Sequence, residues 1–267
     1  DFEFELTPPK ISKDNPFPKI ITIPTTAGTG AETEITAMVT YLKEGMKFCM
    51  WHPDARPVLA LVDPELTLGL PPSLTAWTGV DAMVHAIEGY CVPGFNPLCD
   101  GSAIESLSLI SKSLYLAVEE PKNLVARGGM HVGSYLGGVA FLKGLGLVHA
   151  ISHMVGAEFN TQHGLTNAII LPVVLRYNLS GMDEKVKRMS EAMQFEDHSI
   201  EAFITNIEKM LDRLNIPKSL SEIGVPEDCV ERIAKKAMKD QAFATNPKIA
   251  TLEEVKEMTL ASIKKAR

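Results

Sequence analysis

Cysteine is scarce in this 267-residue chain, and the four present, Cys49, Cys91, Cys99 and Cys229, make neither a CxxC pair nor a zinc-finger spacing. A chain of this length buries enough core to fold without disulfides. The thiols are therefore expected to be reduced, and the compartment to be the cytoplasm. No apolar run reaches the roughly 20 residues of a membrane span, so no membrane partner is expected. Nor is there an excess of positive charge: 26 basic against 33 acidic side chains give a net −7, which speaks against nucleic acid as the main partner. The first six residues, Asp-Phe-Glu-Phe-Glu-Leu, lack a basic, apolar signal pattern. Internal repeats and low-complexity tracts are absent too. What remains is an ordinary globular composition, 45% hydrophobic and 22% charged, enough for one large domain or two modest ones.

The texture of the chain changes once. Residues 1–18, with four prolines, read as an extended lead-in. Residues 19–24 and 57–62 read as buried strands, and 35–41 with 47–51 as a hairpin around Lys43-Glu-Gly45. After Leu66 the periodicity is helical, beginning at Pro71-Pro72-Ser73, which predicts a boundary near residue 66: an α/β part over 1–66 and an all-helical part over 67–267. Residues 96–119 form a predicted helix with Leu107, Ile110, Leu114 and Val118 on its apolar face. The glycine-rich 127–138 reads as small-residue helix packing, with His131 a satisfied helix histidine. Residues 201–265 read as amphipathic helices broken at Ile216-Pro217 and Gly224-Val-Pro226.

Three stretches carry chemistry. Thr25, Thr26, Ala27, Gly28, Thr29 and Gly30 follow the first strand, and small residues with hydroxyls there let backbone N–H groups approach an anion. No lysine follows the glycines, so this is not a Walker loop. The segment 144–164 holds His149, His153 and His163, three of the seven histidines. His149 and His153 stand at i, i+4 and share a helical face, a known way to present two nitrogens to one metal ion. An unbroken helix would carry His163 about 21 Å from His149, so a shared site needs a break. Gly156 and Asn160-Thr161-Gln162 offer places for one. Asp81 and His85 repeat the i, i+4 spacing inside an apolar segment, where a carboxylate and an imidazole are costly unless paired or ligating. Two helices, each offering such a pair, resemble the internal metal sites of helical bundles.

These motifs, in order, resemble the iron-containing (group III) alcohol dehydrogenases. The likeness is carried by Ile23-Pro-Thr-Thr-Ala-Gly-Thr-Gly-Ala-Glu32, Thr78-Gly-Val-Asp-Ala-Met-Val-His-Ala-Ile-Glu-Gly-Tyr90, Gly144-Leu-Gly-Leu-Val-His149, Asn160-Thr-Gln-His-Gly164, Ala168-Ile-Ile-Leu-Pro172 and Asn246-Pro247. The resemblance implies a nucleotide-binding α/β domain followed by a mostly α-helical domain, the dehydroquinate synthase-like architecture. It implies Asp81, His85, His149 and His163 as metal ligands, with His153 facing the nicotinamide and substrate as the catalytic candidate. Thr25, Thr26, Ala27, Gly28, Thr29 and Lys47 are the implied cofactor contacts. Fe²⁺ is the expected metal, with Zn²⁺ compatible with the same donors. NAD or NADP is the expected cofactor, a small primary alcohol or diol and its aldehyde the substrates, and a homodimer or larger homo-oligomer the assembly.

The sequence departs from the family in three places. The family's glycine-serine pyrophosphate motif is not in it, so the chain reads as the C-terminal two-thirds of such an enzyme. Ala31 stands where many members have serine. One residue fewer lies between Phe141 and Gly144. The competing expectations are a metal-dependent hydrolase or lyase, and a non-catalytic metal-binding or assembly module.

Overall fold

The computed structural model describes residues 14 and 16–267, so the lead-in expected over 1–18 lies largely outside the described residues. An α/β segment precedes an array of helices. Strand β1 (Ile21–Thr22) pairs in parallel with β4 (Leu59–Ala60), Ile21 opposite Leu59. Both were expected to be buried, and neither is: Ile21 is 59% exposed and Leu59 52%. A parallel pair becomes buried only when helices cover its faces, and no described element does so here. The hairpin does form, from β2 (Thr36–Tyr41) and β3 (Met46–Trp51), in antiparallel register with Thr36 opposite Trp51. The loop between β1 and β2 turns at Gly30, whose φ of 68° lies in the left-handed region. An added Cβ there would stand 2.9 Å from Gly138 Cα and from the Ser134 carbonyl. Only glycine at both positions lets the loop press onto the following helices.

Helix α1 (Pro72–Cys91) is the axis of the helical part. Thr75 and Ala76 are buried, as is every residue from Gly79 to Cys91, and a helix apolar on all sides belongs in a core. It packs on α2 (Pro97–Glu119), α3 (Leu124–Ala140) and α5 (His163–Asn178). Leu107, Ile110 and Leu114 of α2 are fully buried, as their spacing predicts, each stabilising by about 1.5–3 kcal/mol relative to exposure. In α3, Gly129 faces Ser113 and Gly133 faces Ile110, so the glycines do serve close helix packing. The expectation for His131 fails: it is buried in α3, and neither ring nitrogen has a hydrogen-bond partner. Burial lowers its pKa and keeps the ring neutral, with nearby Asp63 opposing.

Helix α4 (Leu147–Phe159) runs straight through Gly156 and stops at Asn160, which takes the left-handed conformation at φ 52°. Asparagine tolerates that geometry better than most residues, so it, and not Gly156, ends the helix. Gln162 restarts the chain by accepting the Leu165 N–H at 2.6 Å, capping α5. The remaining helices, α6 (Asp183–Ala192), α7 (Ile200–Arg213), α8 (Val230–Ala237), α9 (Gln241–Ala244) and α10 (Leu252–Lys264), pack around this centre. The breaks expected between the later helices occur, with Gly224 at φ 89°. All four cysteines carry free thiols. Among the described residues no single helix is long and apolar enough to cross a membrane.

Candidate metal and cofactor site

Helix spacing puts Asp81 and His85 on one face of α1, and the fold brings α4 and α5 against that face. Three imidazole Nε2 atoms converge on Asp81 Oδ1, at 3.9 Å for His85, 3.8 Å for His149 and 3.6 Å for His163. One donor atom from each of the four residues lies within 4.8 Å of the other three. The turn at Asn160 is what returns His163 to its partners. Gly164 follows it against the Trp77 backbone carbonyl, leaving no room for a side chain where α5 meets α1.

The electrostatics suit a cation. Burial keeps the rings neutral: His149 is held well below the ordinary imidazole range, and His163 is lowered to about 4 despite the opposing Asp81 charge. Neutral imidazoles present lone pairs without first releasing a proton. Around Asp81 Oδ1, three nitrogen acceptors and one carboxylate oxygen thus face one another with little to neutralise them. Asn167, one turn after His163, directs its Nδ2 into the cluster, 2.7 Å from Asp81 Oδ1, 3.1 Å from His149 Nε2 and 3.2 Å from His163 Nε2. A single NH₂ group has two hydrogens for these three acceptors, and Asn167 Oδ1 is left buried without a partner. This donor set fits a divalent ion that accepts nitrogen and oxygen ligands.

Glu88 supports the cluster from the same helix. Its Oε2 lies 2.6 Å from His149 Nδ1, and its Oε1 accepts the Val148 N–H at 2.8 Å. Asn246 Oδ1 accepts the Leu147 N–H at 3.0 Å. Helix α4 begins at Gly146 without a side-chain cap of its own, so residues remote in sequence satisfy its first amides. Burial raises the Glu88 carboxyl to about 8, with the amide donors of Val148, Gly146 and His149 acting the other way.

Beside the cluster opens a cavity of about 450 Å³, lined by His85, His149, His153 and His163 on one side and by the hairpin residues Lys47, Cys49 and Trp51 on another. Phe141, Leu142 and Lys143 form part of its wall. His153 is not one of the four converging donors: its Nδ1 is 2.9 Å from Asp240 Oδ2, and its ring stacks on His163 at 5.3 Å. Among the loop residues named from sequence, Thr29 lines the cavity and Thr25, Thr26, Ala27 and Gly28 do not; Gly28 packs on Thr78 instead. Lys47 lines it, its ammonium pKa lowered by burial and supported by Asp81. Glu34 at the rim is raised to about 7, chiefly by burial, and accepts a hydrogen bond from Thr36.

Sequence reasoning passed over Glu88, Asn167 and Asp240. Two had a local signal: Glu88 stands at i+7 from Asp81 and i+3 from His85, and Asn167 at i+4 from His163, so helix geometry puts them on the ligand faces. Asp240, 87 residues beyond His153, had none.

A carboxylate and three imidazoles beside a cavity, where the helices meet the strand-loop segment, form a group that could hold a divalent cation. Comparison with known proteins places the chain more closely. Residues 75–263 match the Fe-containing alcohol dehydrogenase family, C-terminal, and residues 2–64 match Iron-containing alcohol dehydrogenase. The chain belongs to the iron-containing alcohol dehydrogenase family. It is 35% identical over 254 residues to the NAD-dependent methanol dehydrogenase of Bacillus methanolicus, covering 92% of this chain and 67% of that protein. Against the lactaldehyde reductase of Escherichia coli K12 the identity is 37% over 252 residues, covering 92% of this chain and 65% of that one. A crystal structure of 1,3-propanediol oxidoreductase superposes with a TM-score of 0.89 at 34% identity, over 93% of this chain and 67% of the other. The chain thus spans about two thirds of the length of these relatives.

Proposed function

We propose that this chain carries the metal site and part of the cofactor cleft of a metal-dependent, NAD(P)-linked alcohol dehydrogenase that interconverts a small primary alcohol or diol and its aldehyde. The observation that carries this reading is the convergence of His85, His149 and His163 on Asp81 Oδ1 beside a cavity large enough for a short substrate and a nicotinamide ring. Relatives named for methanol, lactaldehyde, 4-hydroxybutyrate and 1,3-propanediol support the substrate class.

Asp81, His85, His149 and His163 would hold the ion, Fe²⁺ in this reading, with Zn²⁺ suited to the same donors. When bound, the ion supplies Lewis acidity to a substrate oxygen and the nicotinamide takes up hydride. The chain's own residues do the rest. Glu88 fixes the His149 ring so that its Nε2 faces the donor set. Phe141 and Leu142 give the cavity an apolar stretch of wall. His153 offers a nitrogen to the substrate hydroxyl, and Thr29 and Lys47 line the cofactor side, with Thr25, Thr26, Ala27 and Gly28 shaping the loop behind them. The same reading keeps NAD or NADP as the cofactor, sets the division between the α/β and helical parts near residue 66, and assigns a cytoplasmic homo-oligomer.

The test is alcohol-dependent reduction of NAD⁺ by the metal-loaded protein, with propan-1-ol and propane-1,3-diol. Activity is expected to follow divalent metal content and to vanish in the His149→Ala, His163→Ala double variant. Turnover that persists in that variant would sink the metal-dependent mechanism.

A further inference from the structure

Resting on the dehydrogenase reading above, we propose that Lys236 is a positioning residue for the cofactor side of the cavity. It ties the tip of the β2–β3 hairpin to α4 and α8, and so fixes where Lys47 stands. The hairpin supplies one wall of the cavity, through Thr36 and Met38 on β2 and Lys47, Cys49 and Trp51 on β3. Its strands pair with each other and with no third strand among the described residues, and residues 36–40 are exposed. A lone two-stranded hairpin is marginal in water, so its place depends on what holds it from outside. Met46 and Phe48 pack it onto the core, and β3 packs on α4.

A polar tie is made at the tip. Gly45, at φ 58°, closes the turn by donating its N–H to the Tyr41 carbonyl at 2.9 Å. Its own carbonyl accepts from Lys236 Nζ at 3.1 Å. Lys236 stands in the last turn of α8, with its side chain one quarter exposed. Its Nζ also lies 3.9 Å from Oε2 of Glu158, in the last turn of α4, while Arg232 Nε donates to Glu158 Oε1 at 2.5 Å. One ammonium thus bridges the hairpin tip, α8 and the helix that carries His149. Lys47 is two residues from Gly45, and its ammonium rests over α4 at Gly156, where an added Cβ would meet Nζ at 3.6 Å. A tip that drifts from Lys236 carries Lys47 away from α4 and parts the two walls. Lys236 does not itself line the cavity; it acts through the hairpin.

Lys236→Met keeps most of the apolar stem and removes the ammonium, whereas Lys236→Arg keeps a donor. In zinc-loaded protein, hydrogen–deuterium exchange of the ladder amides over residues 36–51 is expected to quicken about 10-fold in K236M, the scale of one hydrogen bond to a charged group. Exchange in α1 and α5 should not change. With propan-1-ol as substrate, K236M is expected to raise KM for NAD⁺ by a similar factor, while kcat and metal content hardly change. K236R should restore both exchange and KM. Unaltered exchange over the hairpin, acceleration spread evenly through the chain, or an unaltered KM for NAD⁺ overturns the assignment. A wild-type chain that oxidises no short alcohol overturns the dehydrogenase reading and the cofactor role with it, while exchange still decides whether Lys236 holds the hairpin.

Discussion

Glu88 and His149 are joined at 2.6 Å, and the same carboxylate accepts the Val148 N–H at 2.8 Å. One side chain therefore orients a ring of the donor set and caps the helix that carries it. The candidate donor set and the start of α4 are mechanically one unit.

Replacing Glu88 by glutamine is expected to keep its volume while loosening the His149 ring. Outer partners of metal-bound imidazoles typically matter by about 10–100-fold in affinity, and a loss in that range is expected from chelator competition. Glu88→Ala also removes the cap and leaves buried amides unpaired, lowering stability by about 1–3 kcal/mol in chemical denaturation.

The two histidines at the ends of the stacked pair should respond differently. His163 points its Nε2 at Asp81, 3.6 Å away, whereas His153 is held by Asp240. His163→Ala is expected to strip bound metal, seen as substoichiometric content by elemental analysis after dialysis. His153→Ala should retain a full equivalent. Equal retention by both variants would remove His163 from the donor set.

Glu34 gives a dependence on pH. Its carboxyl is raised from 4.5 to about 7, chiefly by burial, with Glu32 and Asp81 adding to the rise. The folded state then holds a proton that the unfolded chain has released, so this contribution is complete below pH 4.5 and is lost as pH rises through 7. Between pH 5 and 8 the Tm of the wild-type chain is expected to fall by a few degrees more than that of Glu34→Gln. Parallel curves for the two proteins would count against the shift.

Asn246 joins three segments: it accepts from Leu147 N at 3.0 Å and from Asn178 Nδ2 at 2.8 Å, and it donates to Lys248 O at 2.7 Å. Asn246→Ala leaves several buried polar groups without partners at once. A loss of about 2–4 kcal/mol is expected in urea unfolding, more than for an exposed surface asparagine.

Much of the helical part was legible because helix periodicity is local. Leu107, Ile110 and Leu114 announced a buried face, and Asp81 with His85 announced a polar pair inside an apolar helix. The strands were harder to read. The apolar runs around Ile21 and Leu59 marked strands correctly but burial wrongly, since a strand is buried only by what is laid over it. His131 showed the opposite failure: its position in a helix was readable, while its two unpartnered nitrogens depended on neighbours from elsewhere in the chain.

The sequence by itself determined which helical faces carry donors: the i, i+4 pairs, the glycines that allow close approach, and the asparagine able to end α4. Each of these is set by backbone geometry within a few residues. Only the tertiary structure decided which donors meet, that Glu88 grips His149, and that Asp240 holds His153 from 87 residues away. Those contacts join helices whose spacing in the chain says nothing about their packing. They form because the buried face of α1 has one arrangement of neighbours that fills its core and satisfies its polar atoms together.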